Sequence, residues 1–498
     1  MARSVRFSLG WPRARGAATS CTSALAFSFV LLSATEVLAE PEVTGDTAVQ
    51  WYDVRSPSGQ TLLTRRRLTT TLGVSGYDLL SDDAKPPAEK RGLRPMLTFR
   101  SRLRYDADYG AKGAEATPTD PSSYVPGFER GPVDLMYAYI EGRRLPFAPV
   151  SFRLGRQIQL DALGYWQMDG GWARLDVMRY LAIEGYGGLE VRGGFPMSTS
   201  RAERDGIWRG SRDGLDPSAF TSFVDRGLAP AYGAALESNG IDFLHARVAY
   251  RHVDSTGTVT TNPFSGETTT GTRLSQERLA FGVDLSNATL GGVKTGLVHD
   301  LLTNRLSNAF VSVDAYAGSR VTLSADWDFY QPTFDGDSIF NFFATAPMHH
   351  GEARSNIQLD DRWSVSGGAS LRGYDATSES SGDLLIGGNA AARYVFPSGR
   401  IGLRADVARG GGSHRAGGDL FIEKLLEARY ILSGRVSAWD FRDSLRADRG
   451  AQTFGYVAGA GYRLGERSRV LLEFEHNMNR LVGQRYRVVL WLTVAMAQ

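Results

Sequence analysis

Two short groups of residues in this sequence have the types that catalysis or metal binding would need. His349, His350 and Glu352 combine two imidazoles with a carboxylate, but no fourth metal ligand accompanies them. Ser413 and His414 supply a hydroxyl next to a base, without the glycine-flanked turn or the orienting acid of a nucleophile site. These patterns predict no enzyme, no metal and no cofactor. The alternative, a hydrolase, would need a nucleophile, a base and an orienting group that meet in space.

Arginine is the residue type whose spacing is most informative. Arg100, Arg102 and Arg104 recur at every second position, so on a strand their guanidinium groups share one face about 7 Å apart. Arginine stays protonated in proteins, so such a row needs carboxylates or passing anions. Alternate positions of other segments complete a candidate set for pore lining and anion selectivity: Arg100, Arg102, Arg104, Arg153, Arg247, Arg320, Arg404, Arg469, Arg487, Asp326, Asp406 and Glu473. A salt-bridge ladder that keeps a wet wall rigid and an anion-selective surface both fit this set.

The segments that carry these residues alternate between apolar and polar positions. In 400–408, Leu403 and its apolar neighbours alternate with Arg404 and Asp406, and 320–330 and 485–496 behave in the same way. Each apolar face runs for about ten residues, the length of a tilted strand that crosses a membrane. No apolar stretch of about 18 residues follows residue 39, which argues against membrane-spanning helices. The sequence predicts an all-β protein, a single transmembrane antiparallel up-and-down barrel of about 20 strands (18 to 22).

The connections between these segments are expected to alternate in length. Short turns are predicted at 286–291, 317–320, 360–362, 397–400, 432–435 and 465–468, and longer loops at 252–275, 331–350, 374–382, 410–418 and 477–484. Short periplasmic turns and long external loops are typical of outer-membrane barrels. A soluble repeat fold such as a propeller is the alternative. The connection 194–228, with a short helix predicted from Asp216 and Pro217, either enters the pore or covers its mouth.

The N-terminal region predicts export. Residues 1–39 have a basic start, a short apolar core and a Val37-Leu38-Ala39 end, which indicate a signal peptide cleaved before Glu40. The alternative is a retained N-terminal anchor helix. Residues 40–60 are then an N-terminal segment with a candidate first strand, and 61–498 form the barrel. The expected location is the outer membrane of a Gram-negative bacterium.

Charge is nearly balanced, with 56 Lys+Arg against 54 Asp+Glu, so nucleic acid is not an expected partner. Lysine occurs at only five positions, so arginine supplies most of the positive charge. Arginine suits fixed pairing with carboxylates better than lysine does. The expected partners are outer-membrane lipid, the barrel assembly machinery and a polysaccharide secretion complex.

The region 150–193 resembles the alginate-export type of large outer-membrane porin. The resemblance rests on Phe152-Arg-Leu-Gly-Arg-Gln157, on Asp169-Gly170, on Trp172-Ala-Arg-Leu-Asp176 and on the run from Leu181 to Gly194. It implies a channel of about 18 strands that passes an anionic polysaccharide, or a substrate-selective porin, through an arginine-lined lumen. The competing function class is a structural or docking barrel of the cell envelope that conducts nothing.

Overall fold

The chain forms strands throughout the part that the structure describes. The computed structural model describes residues 40–77, 79, 96–108, 133–143, 150–191, 228–261, 267–334, 346–376, 382–442, 450–480 and 483–497. The strands are β1 Glu40–Arg55, β2 Thr61–Tyr77, β3 Met96–Asp108, β4 Val133–Arg143, β5 Val150–Asp161, β6 Gly164–Met178, β7 Leu181–Glu190, β8 Pro230–Ser238, β9 Leu244–Thr261, β10 Thr268–Asn287, β11 Gly291–Asp300, β12 Arg305–Tyr316, β13 Val321–Tyr330, β14 Met348–Gln358, β15 Trp363–Tyr374, β16 Asp383–Phe396, β17 Gly399–Gly410, β18 Ser413–Leu426, β19 Tyr430–Arg442, β20 Gly450–Arg463, β21 Arg469–Asn479 and β22 Gly483–Ala497.

These strands close into one barrel. Each strand pairs antiparallel with the next along the chain, and β1 pairs with β22 from Glu42↔Ala497 to Arg55↔Gln484. The predicted all-β, up-and-down antiparallel barrel is therefore confirmed as an architecture. The sheet has 22 strands, so the central prediction of 20 and the 18 implied by the resemblance are both too low.

The two ends of the barrel differ in the length of their connections. The connections 109–132, 191–229 and 331–347 are long and all lie at one end, opposite the first residue of β1. At the other end the connections are short, except for 78–95. The short turn at 359–362 is held by Asp360, whose carboxylate accepts the backbone N–H groups of Arg362 and Trp363 at 2.7 Å. These hydrogen bonds to the charged form lower the pKa of Asp360.

Several predicted loops are in fact strands. Residues 252–275 belong mostly to β9 and β10, which 262–267 connect. Residues 410–418 belong mostly to β18, which 411–412 connect to β17. The turn predicted at 432–435 lies inside β19, and the chain turns at 427–429 instead. There, Glu427 and Ala428 both adopt positive φ without a glycine, so the usual sequence signal is missing. The polar ends of these strands extend past the apolar band, so their composition resembles that of loops.

The two faces of the wall differ in chemistry. One face carries exposed apolar side chains such as Leu154, Leu403 and Leu420. The other face carries the ion pairs, and several of these join strands that are not neighbours, such as Arg102 of β3 with Asp46 of β1. Side chains of non-adjacent strands converge on the concave face of a closed sheet and diverge on its convex face. The charged face is therefore the inner one, and the apolar face is the outer one.

The described residues contain no helix that is long and apolar enough to cross a membrane. The predicted signal peptide, the helix predicted at Asp216 and most of the 194–228 connection lie outside the described residues. Leu228 is described, immediately before β8.

Candidate functional site

The inner wall is the candidate functional surface, and the row on β3 lies on it. Arg102 donates to Asp46 at 2.7 Å and to the Thr71 hydroxyl at 2.8 Å. The Arg100 guanidinium lies 5.4 Å from the centre of the Tyr77 ring. Arg104 lies opposite Thr71 in the β2–β3 ladder and is mostly buried. The row therefore does not act as three equivalent free charges, because each member has different surroundings.

A second charged region crosses β6, β7, β8 and β9. Glu184 accepts from Arg174 at 3.0 Å and from Arg247 at 2.6 Å, and Glu237 bonds the same two arginines. Both carboxylates thus lie between both guanidiniums in an alternating network. Such a network is electrically neutral and fixes the inner surface of four strands.

The remaining predicted residues differ in their partners. Arg153 donates to Glu141 at 2.8 Å and lies 4.8 Å from the Trp172 ring centre. Asp326 pairs with Arg354, Asp406 pairs with Arg404 at 2.9 Å, and Arg487 pairs with Glu475. Glu473 accepts the indole N–H of Trp491 at 2.9 Å, and Arg469 begins β21 opposite Thr493. Arg320 differs, because it lies in the turn before β13 and donates to the Leu359 carbonyl at 3.2 Å.

Sequence reasoning missed many of the inner-face acids. Asp46, Glu141, Glu184, Glu237 and Asp419 all neutralise arginines on this face. Alternation could have identified Asp419, since it shares its face with Arg415 and Glu423. The loop predicted at 410–418 interrupted this alternating segment, so Asp419 was not assigned to a strand face. The excess of arginine over acid that the sequence suggested is largely removed by these partners.

One recess of the inner wall has more arginines than carboxylates among its lining residues: Arg372, Arg404, Arg415 and Arg442 against Asp383 and Asp406. Its volume is about 730 Å³, and it lies between β14 and β19. Arg372 and Arg415 both line it, and neither forms an ion pair with any residue in the part of the chain that the structure describes. Arg415 lies 4.2 Å from the Trp439 ring centre, and Tyr374 and Phe441 also line the recess. We refer to it as the β15–β18 recess.

The tip of the β5–β6 hairpin leaves the wall and enters the barrel. β5 pairs with β4 only from Phe152 to Arg156, and β6 pairs with β7 only from Met168 onward. Residues 157–167 therefore extend beyond both ladders, apart from one hydrogen bond from the Val191 N–H to the Gln167 carbonyl at 2.9 Å. We call residues 157–167 the inner hairpin. The bend falls at Gly155, whose φ is +124° and whose Cβ, if present, would lie 2.3 Å from the Ala138 carbonyl oxygen. Only glycine suits this position.

Side chains replace the ladder bonds where the hairpin departs. Arg156 and Asp169 form a bidentate pair with both contacts at 2.7 Å, and Arg156 also donates to the Leu135 carbonyl of β4 at 3.2 Å. Gln167 donates to the next carbonyl, that of Met136, at 2.5 Å. By alternation Arg156 would lie on the outer face with Leu154. Here it instead donates to a backbone carbonyl on the edge of β4 that β5 leaves unpaired. The residues that carry the family resemblance thus build this bend.

The inner hairpin packs against the inner faces of β8, β9 and β10. Leu163, at its turn, forms a buried cluster with Ala235, Ala249 and Ala280 on the inner faces of β8, β9 and β10. Arg251 of β9 is 1% exposed, bonds Asp161 at 3.3 Å and lies 4.8 Å from the Trp166 ring centre. The hairpin therefore lies across the inner wall and is fixed at its tip.

Tyr186 continues this packed surface beside the hairpin. Its ring centre lies 5.2 Å from that of Trp166, and its hydroxyl donates to the Tyr250 carbonyl at 3.1 Å. The ring crosses Gly233, where a Cβ would lie 2.3 Å from it. A glycine is thus needed at position 233 of β8, because any side chain there would clash with the Tyr186 ring.

The histidines considered for metal binding lie on a strand and not on a loop. In β14, His350 and Glu352 face inward and His349 faces outward. His350 lies 3.7 Å from Asp328, and His349 lies 3.7 Å from Asp375. Across the described residues no group of three or more His, Cys, Asp or Glu side chains has the arrangement of a metal site. Alternation along the strand places His349 on the opposite face from His350 and Glu352.

Comparison with known proteins identifies a fold and no family. No protein-family model matches the chain, and a search of curated protein sequences finds no match. The siderophore receptor PirA from Pseudomonas aeruginosa matches with a TM-score of 0.50 and 10% identity over 91% of this chain and 80% of that one. OccAB4 from Acinetobacter baumannii gives a TM-score of 0.42, 8% identity and coverage of 93% and 99%. OccK2 (OpdF) from P. aeruginosa gives 0.41, 8%, 93% and 99%.

At these identities the likeness concerns the fold alone, and the PirA match, with a TM-score of 0.50, supports it. The chain shares with PirA a large barrel architecture. The specific relationship to alginate-export porins stays a prediction.

Proposed function

We propose that this protein is a channel embedded in the outer membrane of a Gram-negative bacterium. The observation that carries the proposal is the separation of the wall into an apolar outer face and a charged inner face. An arginine facing lipid at mid-depth costs about 2–4 kcal/mol, so this arrangement favours lipid outside and water inside. Barrels of about 16–18 strands already hold an aqueous channel, which leaves room here for both water and the inner hairpin.

Anionic solutes are the proposed cargo. Most inner-face guanidiniums are neutralised by wall carboxylates and act structurally. Arg372 and Arg415 in the β15–β18 recess are positive charges without an ion pair among the described residues, and they lie beside the aromatic rings of Tyr374 and Phe441 and share the recess with Asp383 and Asp406. A small anion and a secreted anionic polysaccharide both suit this surface, and transport assays with each would distinguish them.

Planar-bilayer recording of the purified protein tests the proposal. We expect discrete conductance steps and a reversal potential in a salt gradient that indicates anion preference. The double variant Arg372→Gln/Arg415→Gln should lose that preference. Arg362→Gln, in the 359–362 turn outside the recess, is the matched control and should leave it unchanged. A cation-selective wild-type channel would contradict the anion proposal while leaving the channel intact.

The packed sector around the inner hairpin favours a second candidate, a structural or docking barrel that conducts nothing. Arg251, Met168 and Gln157 are almost fully buried on or against the inner wall, so part of the lumen is filled. Under this alternative, reconstituted protein with confirmed barrel folding would give no conductance steps.

A further inference from the structure

We propose that the inner hairpin is the fixed constriction of this channel and sets its conductance and the largest solute that passes. The inference rests on the proposed function, since a constriction matters only if solutes pass. The residues that hold the hairpin differ from the residues that the hairpin presents to the lumen, and both sets point to this role.

The tip of the hairpin is attached to β8, β9 and β10 by one face. Leu163 is 3% exposed among alanines of β8, β9 and β10, whereas Leu160 is 80% exposed three residues earlier. The attached face lies against the wall, so the free face that carries Leu160 projects toward the lumen. An apolar surface placed in an otherwise charged pore obstructs hydrated solutes.

The attachment is specific and not merely a close approach. Leu163 fits a site that small side chains create, because Ala235, Ala249 and Ala280 lie under it. Asp161 fixes the turn by accepting the Leu163 backbone N–H at 2.9 Å, and the same oxygen bonds Arg251. A buried guanidinium without its carboxylate would be strongly unfavourable, so the hairpin and β9 stabilise each other's position. We therefore expect a fixed element and not a mobile gate.

Cysteine cross-linking tests the position without requiring any conduction. The sequence has one cysteine, Cys21, so a Cys21→Ser background is free of thiols. In that background Leu163→Cys with Ala249→Cys should form a disulfide on mild oxidation, detected by the altered gel mobility of the unfolded protein. Leu160→Cys with Ala249→Cys is the matched control and should not, because Leu160 lies on the free face.

Single-channel conductance tests the role. Replacing residues 159–166 by Asn-Gly joins Ile158 to Gln167, which are paired in the ladder, through a two-residue turn. We expect this variant to conduct about two-fold more than the wild type, because the obstruction is removed. Leu160→Trp should lower conductance, and the 163–249 disulfide should leave it unchanged. Solute exclusion, measured with uncharged polymers of graded size, should shift to larger polymers in the shortened variant.

The outcomes separate the two proposals. If wild type and shortened variant conduct equally, the constriction is overturned and the channel stands. If the disulfide forms and neither protein conducts, the hairpin lies where described, but both the channel and its constriction are overturned. If locking the disulfide changes the wild-type conductance, the hairpin moves during conduction and the fixed constriction is overturned.

Discussion

Arg251 and Asp161 belong to strands four apart in the barrel wall, yet their side chains lie 3.3 Å from each other. A contact of this kind is impossible within a simple cylinder of strands. It exists because the β5–β6 hairpin turns inward at Gly155. The interior of this barrel is therefore shaped in part by a strand pair of the wall itself.

The orientation of the wall can be tested with two arginine substitutions. Leu403→Arg places a charge on the outer face at about mid-strand, where the cost is about 2–4 kcal/mol, and should prevent stable assembly. Ser366→Arg places the same charge on the inner face and should be tolerated. Heat-modified gel mobility of membrane extracts measures both. If the two variants assembled equally well, the assignment of faces would be wrong.

The bend of the inner hairpin depends on one glycine. Gly155→Ala forces a side chain into positive φ and against the Ala138 carbonyl, so the barrel should lose about 1–3 kcal/mol of stability. Gly185→Ala is the matched control, because a Cβ there meets no atom within 4 Å. Urea unfolding of the folded barrels compares them. Equal stability of both variants would show that β5 does not bend as described.

The pair Arg102–Asp46 predicts a change of ion selectivity that a double variant reverses. Arg102→Gln leaves the Asp46 carboxylate without its cation and should shift the reversal potential toward cation preference. Arg102→Gln/Asp46→Asn removes both charges and should restore the wild-type value. If the single and double variants behaved alike, the interaction between these two side chains would not govern the local field.

Export predicts a defined mature N-terminus. Protein recovered from outer-membrane fractions should begin at Glu40, as N-terminal sequencing can show. An intact Met1, or a soluble periplasmic pool, would contradict the predicted signal peptide.

The sequence predicted those features that depend on local alternation. Leu403 and Arg404 were correctly separated onto opposite faces, because a strand has a period of two whatever surrounds it. The turn at Glu427 and Ala428 was missed because neither residue type signals positive φ. The inner hairpin was missed for a different reason. Arg251 and Asp161 are 90 residues apart in the chain, and nothing in the pattern around either residue indicates the other.

The surroundings of Arg404 show the same limit for the candidate site. Arg404 was identified from its own strand, but its surroundings depend on Asp406 and on Asp419 of the next strand. Whether an arginine is neutralised or available is decided by cross-strand register, which alternation alone does not supply. Arg372 and Arg415 therefore became distinguishable from other arginines only with the structure.

The pairing of β1 with β22 has a consequence for how the molecule is made. Every other seam joins strands that follow each other along the chain, whereas this one joins Glu42 to Ala497. The sheet must keep two unpaired edges until its last strand arrives, and unpaired edges recruit other chains into aggregates. Synthesis and closure are thus separated in time. A chain that stops before β22 keeps unpaired strand edges that can pair with other chains. Pairing of the final strand with β1 is the step that converts an aggregation-prone open sheet into a closed barrel.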